Sequence, residues 1–325
     1  MHPATHSRPL ARITLTVSLL YAAMAAGATP LRAETVRVGL AAPRVFSFSL
    51  VEVGTRSGMF ARHGLDVEIT AFGGGPRLVQ AMTADGIDVG LDTGPDMALI
   101  AKGAPVTAVA AVAGAPLELA IVVRPDGPKT VAELKGKRIG VTAASSLTGW
   151  LVTELSRRQG WGSEGILLTP TSSPPASWAL MKAGQIDGMV LGLAPGMEGE
   201  QRGEARILVM LGEPIQDFHN FVIFATNTMI AARPETVRAF LAGWFDTIRL
   251  VRSDKARTVE ILKQVMDIDA AILGRAYDAQ LPMYSLDGKF DPKALAVLSR
   301  SYVDMGILDK EPDMRKLYTE EFLPK

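Results

Sequence analysis

Short apolar runs alternate along the chain with longer stretches in which apolar residues recur at three- and four-residue spacing. Apolar runs at residues 36–41, 65–71 and 87–91 predict strands. The intervening stretches at residues 50–63 and 77–83 predict helices. Alternation of strands and helices is typical of α/β proteins, in which helices cover a mainly parallel sheet. The pattern therefore predicts an α/β fold.

The same order of motifs occurs twice. The segment Arg-Val-Gly-Leu-Ala-Ala at residues 37–42 matches Arg-Ile-Gly-Val-Thr-Ala at residues 138–143. Likewise, Met-Thr-Ala-Asp-Gly-Ile-Asp at residues 82–88 matches Met-Lys-Ala-Gly-Gln-Ile-Asp at residues 181–187. In each copy a strand and then a proline follow the Ile-Asp pair, and the copies lie about 100 residues apart. The repeat predicts two similar lobes, each a βαβ unit whose first strand leads into a pocket loop.

Two extended apolar segments, at residues 116–123 and 221–225, predict the strands that carry the chain between the lobes. Lobe 1 is therefore expected to be discontinuous, with a first part at residues 34–122 and a second part at residues 225–325. Lobe 2 is predicted at residues 123–224. Helical spacing of apolar residues in the second part of lobe 1 predicts helices at residues 237–252, 256–266 and 292–305.

The first 33 residues have the layout of a secretory signal peptide. Arg8 and Arg12 precede an apolar stretch at residues 13–28, and small residues follow. We expect cleavage after Ala33, or alternatively after Ala28, and a mature protein that is periplasmic. A membrane anchor is the disfavoured alternative, because the apolar stretch is short and is diluted by alanine, glycine and threonine.

Charge and cysteine content narrow the function classes. The 34 Lys and Arg residues balance 34 Asp and Glu residues, which argues against a basic groove for nucleic acid. The chain contains no cysteine, which excludes disulfides, thiolate metal sites, a cysteine nucleophile and a lipid anchor on an N-terminal cysteine. Beyond the N-terminus there is no apolar run of about 18 residues, so the mature protein is expected to be soluble.

The candidate site residues lie in loops that follow predicted strands. In an open α/β sheet, ligands bind beyond the carboxyl ends of the strands, where loops lead into helix N-termini with free N–H groups and a partial positive charge. Loops in these positions supply the predicted ligand-binding residues: Phe46, Ser47 and Phe48; Gly73, Gly74 and Gly75; Asp92, Thr93 and Gly94; Ser145, Ser146 and Thr148; Gly192, Ala194 and Pro195.

Each of these loops has a functional and a structural interpretation. Phe46 and Phe48 could bracket a flat or apolar ligand, or they could be core residues beneath a long loop. The glycines at residues 73–75 would let a ligand approach the backbone, although the lysine of a phosphate-binding loop and the dinucleotide spacing are missing. Arg77, which follows them, could pair with an anion or be solvated. Asp92 could accept a hydrogen bond from the ligand or cap its own helix.

The hydroxyl-rich segment at residues 142–148 offers more side chains than a helix N-terminus needs. One Ser or Thr is enough for an N-cap, so the additional hydroxyls suit a polar group of a ligand. Catalytic arrangements are few, because beyond the signal segment the histidines are His63 and His219, and neither accompanies a nucleophile elbow or a zinc motif. The sequence therefore predicts no catalytic residue, no metal site and no cofactor.

A set of short segments forms a family pattern. The first lobe contributes Gly58-Met-Phe60, residues 63–68, Phe72-Gly-Gly-Gly75, residues 82–88 and Gly103-Ala-Pro-Val106. The second lobe contributes residues 134–141 and residues 183–187. In this order, over residues 36–211, the segments resemble the solute-binding proteins of the nitrate, sulfonate and taurine importers, also called the SsuA/THI5-like or NMT1-like family.

The resemblance implies a two-lobed, type 2 periplasmic-binding-protein fold, with two mainly parallel sheets flanked by helices and joined by two crossover strands. It implies a protein that captures a small solute between the lobes and delivers it to an ABC permease and its ATPase. The solute would be a sulfonate, a pyrimidine-like heterocycle or a small carboxylate; without an arginine cluster in the loops, a monoanion or a neutral heterocycle is favoured over a highly charged molecule. The protein is expected to be a monomer that does not bind nucleic acid.

Two other functions stay open. A ligand-binding subunit of a membrane sensor system would have the same sequence features. A THI5-like enzyme of pyrimidine synthesis would consume its own histidine and depend on a cysteine-rich iron motif. The lack of cysteine and the presence of an export signal disfavour this enzyme.

Overall fold

The computed structural model describes residues 33–144, 146–171 and 173–325. The strands of these residues are β1 (Glu34–Leu40), β2 (Leu65–Ala71), β3 (Val89–Thr93), β4 (Val106–Ala113), β5 (Leu119–Val123), β6 (Arg138–Val141), β7 (Leu167–Pro170), β8 (Gly188–Gly192), β9 (Arg206–Met210) and β10 (Phe221–Thr226). The α-helices are α1 (Phe46–Arg56), α2 (Gly75–Thr83), α3 (Ala98–Ala101), α4 (Leu147–Arg158), α5 (Pro174–Lys182), α6 (Leu193–Gln201), α7 (Asn227–Ala232), α8 (Pro234–Ser253), α9 (Lys255–Met266), α10 (Ala270–Gln280) and α11 (Pro292–Asp304). Apart from Ala33, the predicted signal peptide lies outside the described residues.

The strands form two five-stranded sheets with equivalent topologies. The first sheet has the order β2-β1-β3-β10-β4 and the second has the order β7-β6-β8-β5-β9. In the first sheet β1 is parallel to β2 and β3, and β10 is antiparallel to β3 and β4. In the second sheet β6 is parallel to β7 and β8, and β5 is antiparallel to β8 and β9. The predicted α/β fold with two helix-flanked sheets is confirmed, and each sheet contains one reversed strand.

The reversed strands β5 and β10 are the first strands that the chain forms after it passes from one sheet to the other. The passages are short, at residues 114–118 and residues 211–220. They are also bonded to each other, because the backbone N–H of Asn220 donates to the carbonyl oxygen of Gly114 over 3.1 Å. The sheets are thus connected by two adjacent segments, an arrangement that permits hinge motion.

The repeated Ile-Asp motif has a structural reason. The carboxylate of Asp88 accepts the backbone N–H of Arg37 over 3.0 Å, and that of Asp187 accepts the backbone N–H of Arg138 over 2.8 Å. In each copy the aspartate therefore anchors the first strand, at the fourth residue of β1 and at the first residue of β6. Asp88 is buried, and although burial opposes its ionisation, hydrogen bonds from Arg37 and the charge of Arg233 lower its pKa below the usual range.

The start of α1 differs from the prediction. Residues 46–49 were expected to lie in a loop, but α1 begins at Phe46 and ends at Arg56, after which a separate 3₁₀ turn covers Ala61–His63. The apolar residues Phe46 and Leu50 are one helical turn apart and both are buried, so the apolar stripe begins one turn earlier than the prediction. The residue before the helix, Val45, has no side-chain cap, which removes the usual signal for a helix start.

The C-terminal helices follow the predicted pattern at three positions. The predictions at residues 237–252, 256–266 and 292–305 correspond to α8, α9 and α11, whereas α10 was not predicted. The core beneath α8 includes Phe240, which stacks on Phe60 with ring centroids 5.0 Å apart. No helix of the described ranges combines the length and the apolar composition that crossing a bilayer requires.

Candidate ligand-binding site

A cavity of about 840 Å³ lies between the two sheets, at the carboxyl ends of their parallel strands. Its walls come from the loops after β1, β2 and β3 of the first sheet and from the loops after β6 and β8 of the second. The predicted site residues in these walls are Phe46, Phe48, Gly74, Gly75, Thr93, Ser146, Thr148, Gly192, Ala194 and Pro195. Residues from both halves of the repeat thus line one space.

Of the other predicted residues, those that the structure describes do not line this cavity. Gly73 is exposed, and Ser47 is buried with its hydroxyl donating to Glu118. Asp92 is fully buried beside Thr93, whose backbone N–H it accepts. Gly94 has a packing role, because a Cβ at this position would collide with the carbonyl oxygen of His219 on the return passage. Ser145 lies outside the described residues.

A cluster of three hydroxyls, formed by Thr142, Ser146 and Thr148, stands at the N-terminus of α4. Ser146 is the N-cap, and its Oγ accepts the backbone N–H of Gly149 over 3.3 Å. The Oγ1 of Thr142 is 2.8 Å from the Oγ of Ser146 and 2.9 Å from the Oγ1 of Thr148. The Oγ of Ser146 is 2.9 Å from the Oγ1 of Thr148, so the three hydroxyls form a closed ring. All three residues line the cavity. The cluster can exchange its internal hydrogen bonds for bonds to a polar group of a ligand at a positive helix end.

The two phenylalanines of α1 serve as both core and cavity wall. Phe46 and Phe48 are 2% and 3% exposed and both border the cavity. Phe48 meets Phe221 of the reversed strand β10 edge to face, with ring centroids 4.8 Å apart. The two interpretations of these residues are therefore compatible, because a side chain can pack in the core and present one face to a ligand.

A pair of carboxyl groups, Asp92 and Asp96, lies next to the first turn of α2. Thr93 holds the pair, since its backbone N–H donates to Oδ1 of Asp92 over 2.7 Å and its Oγ1 donates to Oδ2 of Asp96 over 2.5 Å. Gly75 makes room for it, because a Cβ there would stand 2.6 Å from Oδ1 of Asp92. Burial and the neighbouring acid Asp96 raise the pKa of Asp92 well above its usual range, and burial also raises the pKa of Asp96.

Asp96 is the member of the pair that lines the cavity, and the sequence interpretation missed it. It lies in the 3₁₀ turn Gly94–Met97, directly after β3. The sequence signal for its role was its position four residues after Asp92, in a segment that leaves a strand and begins a helix. Two acids at that spacing come close together once the turn forms.

Glu118 is a second acid that the sequence interpretation missed. It lies on the passage before β5, is 6% exposed and lines the cavity. Burial raises its pKa to about 7, against the opposing effect of hydrogen bonds from Ser47 and from the backbone N–H groups of Ser47 and Phe46. Its carboxyl group therefore caps α1, which explains why Val45 needs no capping side chain. The signal in the sequence was a single acid within the apolar run at residues 115–123.

Gln280, the last residue of α10, gives the cavity wall a further polar group. It is 0% exposed, and neither its amide oxygen nor its amide nitrogen has a hydrogen-bond partner among the described residues. An unpaired buried amide is costly, at about 1–3 kcal/mol. The amide is therefore available to a polar group that enters the cavity.

The basic residues of the cavity lie at exposed positions. Arg44 and Lys102 both line the cavity and both are exposed to solvent. Arg77, for which an anion contact was considered, is exposed and is not part of the wall. Cationic groups are thus available near the solvent-facing part of the site, while its buried ionisable groups are acids.

Neither histidine of the described residues belongs to the cavity wall. The Nε2 of His63 is 2.7 Å from a carboxylate oxygen of Asp246 on α8. The Nε2 of His219 accepts the backbone N–H of Asp291 over 3.0 Å, and burial lowers its pKa to about 4. His219 is therefore neutral at physiological pH, and it joins the return passage to the start of α11.

Solved structures share this architecture. The periplasmic aliphatic sulphonate-binding protein SsuA from Escherichia coli superposes with a TM-score of 0.74 at 19% sequence identity, over 88% of this chain and 92% of that chain. The desulfurization enzyme DszB superposes with a TM-score of 0.62 at 18% identity, over 89% of this chain and 97% of that chain. The fold therefore occurs in both a binding protein and an enzyme.

Sequence comparisons place the chain in a family. A Brucella abortus protein that is named as a binding protein is 26% identical to this chain over 248 residues, which is 73% of each chain. The family model described as NMT1/THI5 like matches residues 46–250, well over half of the chain. The matched region extends from the start of α1 through α7 and includes most of α8. The chain belongs to the NMT1/THI5-like family.

Proposed function

We propose that this protein is the periplasmic solute-binding component of an ABC importer. In this proposal it captures a small molecule in the cavity between the two sheets and delivers it, chemically unchanged, to a membrane permease and its ATPase. The observation that carries the proposal is the composition of the cavity wall: it takes a hydroxyl cluster from one half of the repeat and the acid Asp96 from the other. A ligand that touches both groups would hold the two halves together.

Ion pairs between the halves support a closed conformation. Arg157 on α4 is 2.5 Å from Asp304 at the end of α11, and the indole Nε1 of Trp150 donates to the same carboxylate over 3.3 Å. On another face Arg275 of α10 is 3.6 Å from Glu200 of α6. We infer that closure about the two passages forms these contacts and that opening breaks them. Each is partly exposed, so each contributes a modest amount that a ligand can outweigh.

The enzyme DszB makes catalysis the alternative function, and the wall of the cavity argues against it. The chain has no cysteine to act as a nucleophile. The hydroxyls of Thr142, Ser146 and Thr148 bond to one another, and both described histidines are engaged elsewhere. Nucleophilic catalysis by a hydroxyl requires a base within hydrogen-bond reach. No carboxylate or imidazole of the described residues bonds to this hydroxyl cluster, so the cluster favours binding over covalent chemistry.

Ligand recovery is the decisive test of the proposed function. Protein purified without refolding would be examined by native mass spectrometry, and the retained molecule would be identified after denaturation. We expect a bound small molecule that raises the melting temperature by mass action when it is added back. Recovery of that molecule in altered form after incubation with the protein would show an enzyme. Absence of any retained or stabilising molecule would contradict a binding function.

A matched pair of variants locates the binding site. Thr148→Val removes a hydroxyl from the cavity wall, whereas Thr153→Val removes one from the same helix outside the wall. Loss of one neutral hydrogen bond would weaken binding of the recovered molecule about three- to tenfold in the first variant. The second variant should bind like the parent protein. Equal affinities in calorimetry would show that the ligand does not use the hydroxyl cluster.

A further inference from the structure

The buried polar groups of the cavity indicate the chemical class of the ligand. Asp92 is 0% exposed and its Oδ2 has no hydrogen-bond partner among the described residues. Asp96, which shares Thr93 with it, is partly exposed and forms part of the wall. Gln280 adds a buried amide with both ends unpartnered in the same wall. Asp92 and Asp96 share a hydrogen bond, so the acceptor groups that face the cavity are the carboxylate of Asp96 and the amide of Gln280.

The acid pair cannot carry two charges in this environment. Two carboxylates in contact repel each other, and burial disfavours each charge, so the pair holds at most one negative charge unless a cation joins it. The oxygens that face Thr93 already accept its N–H and its hydroxyl. At Asp96, which lines the cavity, a positively charged donor would neutralise the remaining negative charge of the pair.

An anion would be poorly matched to the same position. It would be desolvated beside Asp96, where like charges repel. The cations that line the cavity, Arg44 and Lys102, are exposed, so their charges stay in water and are screened by salt. Much of the remaining wall is apolar, including Phe46, Phe48 and other side chains of both halves. An apolar body with a cationic end fits this distribution.

We propose that the cavity binds an organic cation, namely a protonated amine or an amidinium on an apolar body, whose N–H groups donate to Asp96, the member of the acid pair that lines the cavity, while its remaining polar atoms meet the Gln280 amide. This inference rests on the proposed function and names the ligand class of the same site. It separates this chain from the sulphonate-binding protein that shares its fold, since a sulfonate is an anion.

The first test compares matched probes on the full mature protein. Benzamidine and 2-phenylethylamine supply the cation, and benzenesulfonate supplies an anion on the same ring. Calorimetry at pH 7 and low salt should show that the cationic probes bind at least tenfold more tightly than the sulfonate. Tighter binding of the sulfonate would overturn the cation assignment while leaving a solute-binding function intact. Absence of binding by all three probes, together with no retained molecule in native mass spectrometry, would count against both.

The second test uses variants. Asp96→Asn should weaken binding of the cationic probes at least tenfold, because a charge-assisted hydrogen bond is lost. Asp126→Asn, at an exposed position outside the wall, controls for the change in net charge and should bind like the parent. An unchanged affinity in the Asp96 variant would refute the role of the pair.

Gln280→Met keeps the proposal testable where an aspartate variant does not fold. The substitution preserves length and removes both unpartnered amide atoms. We expect it to raise the melting temperature of the ligand-free protein, because a buried unsatisfied amide is lost. It should weaken binding of the cationic probes by about threefold or more. A purely structural glutamine would give the opposite result, with lower stability and unchanged affinity.

Discussion

Replacing Glu118 with glutamine tests how burial controls ionisation at the cavity. The carboxyl group of Glu118 is buried and caps α1, and burial raises its pKa from 4.5 to about 7. The folded protein therefore holds the proton more tightly than the unfolded chain. The stability from this group is fully present below pH 4.5 and is lost as the pH rises through about 7. At about 1.4 kcal/mol per pH unit, the loss amounts to about 3 kcal/mol.

Glutamine resembles the protonated acid and does not titrate. Near pH 4, Glu118→Gln and the parent protein should thus have similar free energies of unfolding. By pH 8 the free energy of unfolding of the variant should exceed that of the parent by about 3 kcal/mol. The difference between the two proteins is the useful quantity, because His219 contributes in the opposite direction. Burial lowers the pKa of His219 to about 4, so its contribution to stability grows as the pH rises.

The assay is guanidinium chloride unfolding of both proteins at several values of pH from about 4 to 8, with the free energy of unfolding extrapolated to water. Glu68→Gln, at an exposed position on β2, controls for the loss of one negative charge. The contributions of His219 and the acid pair are common to both proteins and cancel in the difference. A difference between Glu118→Gln and the parent that stays constant with pH would refute the reasoning, because it would mean that Glu118 ionises alike in the folded and unfolded states.

Three further predictions concern packing, the link between the halves and the strand anchors. Gly94→Ala should destabilise the fold by about 3 kcal/mol or more in denaturant unfolding, because its Cβ meets backbone, whereas Gly274→Ala in α10 should be neutral or slightly stabilising. Asp304→Asn should weaken binding of the recovered ligand by less than about tenfold and speed hydrogen exchange in α4, since it breaks a partly exposed ion pair between the halves. Asp88→Asn should lower the free energy of unfolding by about 3 kcal/mol, because it leaves two guanidinium groups without their buried partner. Asp187→Asn, at a more exposed carboxylate, should lower it by less, and equal losses in the two variants would contradict the role of burial.

The parts of the fold that sequence could predict depend on local patterns. Apolar periodicity identified β1, β2 and three of the C-terminal helices, because each of these elements buries a face set by its own residues. The repeat identified the two equivalent sheets, since Asp88 and Asp187 anchor the equivalent arginine of the first strand in each copy. Local information was thus enough for the architecture.

The start of α1 could not be predicted for a physical reason. Its cap comes from Glu118, which lies about 70 residues further along the chain than the helix that it caps, so no capping residue precedes Phe46. The loops that line the cavity were predicted from the rule for strand ends, but Asp96, Glu118 and Gln280 were not. Their contribution depends on burial and on unpaired atoms, which only the folded arrangement shows.

Glu118 also connects the two halves of the molecule. Its side chain bonds to the first turn of α1 beside the first sheet, and its carbonyl oxygen accepts the backbone N–H of Leu193, the first residue of α6 beside the second sheet, over 2.7 Å. A rotation of one sheet relative to the other about the passages must strain or break one of these bonds. Because Glu118 also lines the cavity, the geometry of the hinge and the shape of the ligand site depend on the same residue.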